Sequence, residues 1–148
     1  MYRMIVRRQV RGAFRSLSRG DAESVLGRFA PSIRFFFSGT HVMGGEREGV
    51  EAVRQWFQLV FALFPGIQIE PRTVVVNGWP WNTVVATHFT VRATLRDGRA
   101  YRNEGMQLLR LRWGRIVEDR LYEDTQLLDA ELNQMADQGV REAVAQAA

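Results

Sequence analysis

The chain has 148 residues, 46% of them hydrophobic and 24% charged, with a net charge of +4. That balance fits one globular domain of common size and excludes disordered and fibrous classes. With no cysteine, disulfides, thiolate nucleophiles and cysteine-based zinc sites are all ruled out.

The first element expected is a helix over residues 2–18, where Val6, Val10, Phe14 and Leu17 recur at helical spacing and Gly20 suits the position after its end. Arg3, Arg7, Arg11 and Arg15 line its other face. Every basic residue of the chain is arginine, but 16 acidic residues are interspersed and no basic block forms. The stripe therefore reads as a solvated helix face, and no nucleic-acid partner is expected. Charge breaks up the opening Met1 to Arg8, unlike a secretory signal, and no apolar run nears the ~18 residues of a membrane span. The expected location is cytoplasmic, with no membrane partner.

Asp21 looks like the cap of a short helix, 22–29, which Pro31 stops. Ile33 to Phe37 reads as a strand, followed by a polar loop over 38–49. A third helix, 50–64, carries a wide apolar face from Val53, Trp56, Phe57, Val60, Phe61 and Phe64, and Pro65-Gly66 ends it. Strands follow at 67–76, 83–95, 101–111 and 115–123, with turn signals at 77–82, Asp97-Gly98 and Trp113-Gly114. Asp124 or Thr125 then caps a last helix reaching Met135, and the alanine-rich 140–148 is expected to be frayed or a short extension. The order α-α-β-α-β-β-β-β-α implies an α+β fold, in which N-terminal helices wrap a curved antiparallel sheet into a cone with an interior hydrophobic pocket. Nothing divides residues 1–148 into further domains.

Several of these segments resemble the SnoaL-like branch of the nuclear transport factor 2-like superfamily. They are Gly20-Asp21-Ala22, the run Gly49 to Phe57 leading to Leu63-Phe64-Pro65-Gly66, and Gly114 to Glu118 with Asp124 and Leu127-Leu128 beyond. The resemblance implies an α+β cone, commonly a homodimer joined through the outer sheet face, here rich in Met106, Leu108 and Tyr122, and no cofactor is expected. Its relatives include polyketide cyclases, ketosteroid isomerases and limonene-epoxide hydrolases. Against their motifs, the cyclase acid/base aspartate falls on Leu121, which exchanges no proton. The epoxide-hydrolase triad falls on His88, Thr90 and Leu121. The isomerase base falls near Thr40 and His41.

A different polar set remains. His88, Thr90, Gln107 and Asp119 are expected to point inward from adjacent strands, with His41 at the rim. A carboxylate beside an imidazole fixes its tautomer and raises its pKa, which suits general acid/base work. His88 would carry the proton, Asp119 would orient it, and Gln107 or Tyr101 would donate to a developing oxyanion. Phe37 and Trp56 would contact the ligand, with Phe35 beside them and Phe89 facing away. Asp124 is expected to cap the last helix. Trp79-Pro80-Trp81 either covers the cone mouth or stabilises a dimer edge, and Met43-Gly44-Gly45 suits a mobile lid. No ligand spacing for a metal is present. The expected activity is proton transfer on a small hydrophobic carbonyl compound (isomerisation, cyclisation or dehydration). The alternative is a non-catalytic module that binds an apolar ligand or dimerises.

Overall fold

One helix face organises the molecule. In the computed structural model, which describes residues 1–144, α1 (Tyr2–Ser18) buries Val6, Val10 and Phe14, which lie one turn apart. This face lies over the concave side of a six-stranded sheet. The strands are β1 (Phe29–Phe37), β2 (Gly45–Glu48), β3 (Gln68–Trp79), β4 (Asn82–Thr94), β5 (Ala100–Arg112) and β6 (Arg115–Glu123), in the spatial order β2-β1-β6-β5-β4-β3. All neighbours are antiparallel except β1 and β6, which run parallel. The sheet is curved and unclosed, and the fold is α+β, as the sequence implies.

The remaining helices are α2 (Glu23–Leu26), α3 (Val50–Leu63) and α4 (Thr125–Asp137), followed by a 3-10 turn at Arg141–Ala143. α3 turns Val53, Trp56, Phe57, Val60 and Leu63 into the core. Its face is wide enough to pack on β1 through Trp56 against both Phe35 and Phe37, with ring centroids 4.7 and 5.2 Å apart. Asp124 caps α4 by accepting from the Leu127 amide at 3.1 Å, satisfying one of the helix's orphan donors.

Three boundaries differ from the sequence reading. α2 is a single turn, and β1 begins at Phe29, so Pro31 lies inside a strand instead of ending a helix. β2 falls within the stretch read as loop; its Gly-Glu-Arg-Glu sequence has no apolar alternation, yet it pairs with Arg34–Phe37 of β1. Of the C-terminal stretch, residues 145–148 lie outside the described residues.

The arginines of α1 do more than face water. Arg7 Nε donates to the Val74 carbonyl at 3.1 Å, Arg11 Nη1 to Pro71 at 3.3 Å, and Ser18 Oγ to Ile69 at 3.1 Å. All three acceptors lie on β3, one of the two edge strands. The helix therefore covers backbone groups that an edge strand would leave unpaired.

β6 carries a bulge. Leu111 pairs with Ile116 but Arg110 pairs with Glu118, so Val117 is an extra residue on β6. Ile116 and Asp119 consequently both turn into the core, where strict alternation from Ile116 would send Asp119 outward.

Candidate functional site

The strand registers place three rows of side chains on the concave face. Val85, Leu109 and Asp119 form one; Thr87, Gln107 and Leu121 the next; Phe89, Gly105 and Glu123 the third. β1 adds Phe35 beside Asp119 and Phe37 beside Leu121. Between these rows and the helices lies a cavity of about 90 Å³. Apolar groups dominate its walls, among them Val10 and Phe14 of α1, Trp56 and Phe57 of α3, and Phe89 of the sheet. Its polar lining is Gln9, Arg28, Gln107, Asp119 and Glu123. Gln9, Arg28 and Gly114 are exposed, so the cavity meets solvent between them.

Asp119 is only 4% exposed. Gln107 Nε2 donates to its Oδ1 at 3.1 Å, a diagonal contact between neighbouring rows. Burial penalises the charged carboxylate more than this one hydrogen bond favours it, and the pKa is pushed up to about 7. The other amide atom, Gln107 Oε1, is buried without a partner among the described residues. Glu123 lies two rows along the same strand, part-buried, and its carboxyl has no hydrogen-bond or ion-pair partner among the described residues. Burial pushes it up to about 7 as well. Gly105 gives it room: a Cβ there would fall 2.9 Å from Glu123 Cγ, 2.8 Å from Phe89 Cζ and 2.4 Å from the Tyr122 carbonyl oxygen.

Other expected residues lie elsewhere. His88 and Thr90 are on the outer, convex face. His88 Nε2 is 3.1 Å from Glu104 Oε2, and Thr90 Oγ1 accepts from Arg72 Nε at 3.2 Å. The registers explain this: Gln107 stands opposite Thr87, so His88, one residue on, points the other way. The imidazole and Asp119 thus do not meet. Phe89, expected outside, is inside for the same reason.

His41 is not at the rim of the cavity but buried beneath the loop, edge-on to Phe37 with ring centroids 5.9 Å apart. Its Nδ1 accepts from the Met43 amide at 3.2 Å, its Nε2 is unpartnered among the described residues, and burial lowers its pKa. Gly39 sits against it so closely that a Cβ would fall 2.4 Å from Nε2. Met43, expected in a lid, is buried; its carbonyl accepts from Trp56 Nε1 at 2.8 Å and from Arg47 Nη1 at 3.1 Å. Tyr101 packs on Phe64 and accepts from Asn103 Nδ2 at 2.9 Å, away from the cavity walls; burial raises its pKa. Phe37 and Trp56 do line the cavity. Sequence reasoning missed Glu123, although it shares strand and parity with Asp119 and so faces the same way.

No group of three His, Asp or Glu converges to hold a metal among the described residues. Nor is any of their helices long and apolar enough to cross a membrane.

Helices closing a curved sheet over an interior cavity define a cone of the nuclear transport factor 2-like class. More narrowly, the chain belongs to the SnoaL-like domain family, whose model matches residues 10–119. Solved structures agree on the fold. PrhC from Penicillium brasilianum is 16% identical with a TM-score of 0.80, over 97% of this chain and 96% of that one. A nuclear transport factor 2-like protein of unknown function from Burkholderia pseudomallei is 21% identical with a TM-score of 0.73, over 83% and 93%. IdmH from Streptomyces antibioticus, described as a candidate polyketide cyclase, is 23% identical with a TM-score of 0.67, over 84% and 95%. No curated protein matches the chain.

Proposed function

We propose that the cavity binds a small apolar carbonyl compound and that Asp119 moves a proton at carbon beside the carbonyl, without a cofactor. One observation carries this reading: a carboxyl held in an apolar wall, steadied by one amide, with its proton affinity raised to about 7. A carboxylate of ordinary pKa is a weak base toward carbon, whereas one near 7 is matched to general acid/base work at neutral pH. Gln107 positions Asp119, and Glu123, when protonated, donates a hydrogen bond to the substrate oxygen from the same strand. Two inward carboxyls thus flank Leu121, the position where related cyclases place theirs. Isomerisation, cyclisation and dehydration all start from this proton transfer.

The cavity, at about 90 Å³, is smaller than the ~300–1,000 Å³ of most ligand sites, so binding a ring compound requires it to widen. A second reading is a non-catalytic binder of apolar ligands, favoured by the preponderance of apolar wall. We also propose that Met106, Leu108 and Tyr122, exposed on the outer face, pair two copies into a homodimer.

2-Tetralone, a bicyclic ketone, tests the reading. Wild-type protein in D₂O should accelerate exchange of its α-protons, and Asp119→Asn should bind it equally while losing the acceleration. Binding with no acceleration by the wild type would establish the binding module instead.

A further inference from the structure

At the end of the sheet where the cavity reaches solvent, three tryptophans stand clear of the core. Trp79 and Trp81 occupy the β3–β4 hairpin and Trp113 the tip of the β5–β6 hairpin; they are 60%, 56% and 74% exposed. They form one continuous patch. Trp79 and Trp81 stack with centroids 6.1 Å apart, and Trp81 and Trp113 lie 6.3 Å apart. The Trp113 amide ties the two hairpins by donating to the Pro80 carbonyl at 2.6 Å.

This tip is held against local preference. Trp113 has a φ of 52°, a left-handed conformation that a bulky residue rarely adopts and that glycine or asparagine would take readily. Directly behind it, Arg112 and Arg115 are register partners, so two like charges face each other across the hairpin. Neither is ion-paired among the described residues.

The charge is one-sided as well. Segments 1–8, 77–84 and 109–117 make up the tip, and none contains an aspartate or glutamate; on the neighbouring α2, Glu23 is paired with Arg54. The first turn of α1 joins the patch through Tyr2, hydrogen-bonded to Thr83, and brings the exposed Met4 and Ile5 with Arg3. The nearest carboxylate on the register, Glu118 opposite Arg110, is engaged by Arg34 at 3.0 Å.

Indole rings on protruding loops, apolar side chains beside them and unpaired arginines behind them match the layering of an anionic bilayer surface, with an apolar boundary under charged headgroups. We propose that this tip docks on an anionic lipid surface. Such docking needs no spanning segment. Gly114, next to Trp113, lines the cavity, and exposed Arg28 lines it too; Arg115 Nη1 donates to the Gly27 carbonyl at 2.8 Å. The docked tip therefore holds the cavity's opening near the lipid, where apolar ligands concentrate. Docking is independent of whether Asp119 transfers a proton.

Flotation of the full chain with vesicles tests it, comparing phosphatidylcholine alone with phosphatidylcholine containing about 30% phosphatidylserine. The protein should float with the anionic vesicles, less so as salt rises, with a blue shift of tryptophan emission. Trp113→Gly, which suits the turn, and Trp81→Ser should each weaken binding. The double variant Arg112→Gln, Arg115→Gln should weaken it by about fivefold per charge removed. Absence from anionic vesicles at low salt, or unchanged binding in the tryptophan variants, overturns the proposal. Conversion of a dimer to a monomer by those variants, with no vesicle binding by the wild type, would assign the tip to a second copy and overturn it equally.

Discussion

Two polar pairs, each with heavy atoms 3.1 Å apart, sit back to back on the same sheet. Gln107 and Asp119 meet on the concave face beneath α1. His88 and Glu104 meet on the convex face, with side chains 38% and 70% exposed. Equal length conceals unequal chemistry. Around His88 and Glu104, water solvates both groups whether or not they pair, so the contact adds little. Asp119 is buried in a mostly apolar wall, and the group answers by holding its proton. Burial, more than hydrogen bonding, separates a candidate catalytic group from a surface contact here.

That contrast breaks most sharply at Asp119. Asp119→Asn should cut α-proton exchange by about 10² to 10⁴-fold. It should also stabilise the protein, in a direction fixed by the pKa. Between 3.8 and about 7 the folded state holds a proton that the unfolded chain has released, so stability falls as pH rises through that window. Asparagine removes this penalty. Thermal or urea unfolding should show the variant gaining nothing near pH 3 and up to about 4 kcal/mol at pH 8. A variant no more stable than wild type at pH 8 would mean that Asp119 is ionised without cost.

Gly105→Ala should follow in size. Its methyl group meets the Tyr122 backbone as well as Phe89 and Glu123, so urea unfolding should register a loss of about 1–3 kcal/mol. Gln107→Leu should lower exchange by about tenfold. It should also move the midpoint of the pH–rate profile upward, since the lost hydrogen bond favours the carboxylate. A merely structural glutamine would leave that midpoint in place. His88→Ala should be the mildest, changing stability by less than about 0.5 kcal/mol and leaving exchange intact. Loss of exchange in that variant would restore the imidazole as proton carrier.

The fold is legible in the sequence because its signals are local and strong. The apolar spacing of Val6, Val10 and Phe14, the Pro65-Gly66 stop and the Asp97-Gly98 turn each act within a few residues. β2 is not legible, because Gly45–Glu48 becomes a strand only through its partner β1. At the site, Asp119, Gln107, Trp56 and Phe37 are readable from the sequence, whereas the face that His88 takes is not. Residues 95–99 connect β4 to β5. Across this connection, odd residues pair with odd, as Thr87 does with Gln107. An even-numbered residue such as His88 then cannot share a face with Gln107. Parity depends on where the strands end, and boundaries are what local signals fix least well.

The bulge at Val117 decides which side chains α1 packs against. Without the bulge, the ladder set by Leu111 and Ile116 would continue one step out of the observed register, with Val117 paired. In that slipped ladder Glu118 stands opposite Leu109 and Arg120 opposite Gln107, while Asp119, Leu121 and Glu123 face water. Such a ladder would aim a carboxylate and a guanidinium at the apolar face of α1, where neither finds water. Packing of the helix therefore discriminates between the two registers. Contact with α1 thus favours the alignment in which the chain's surplus residue is looped out.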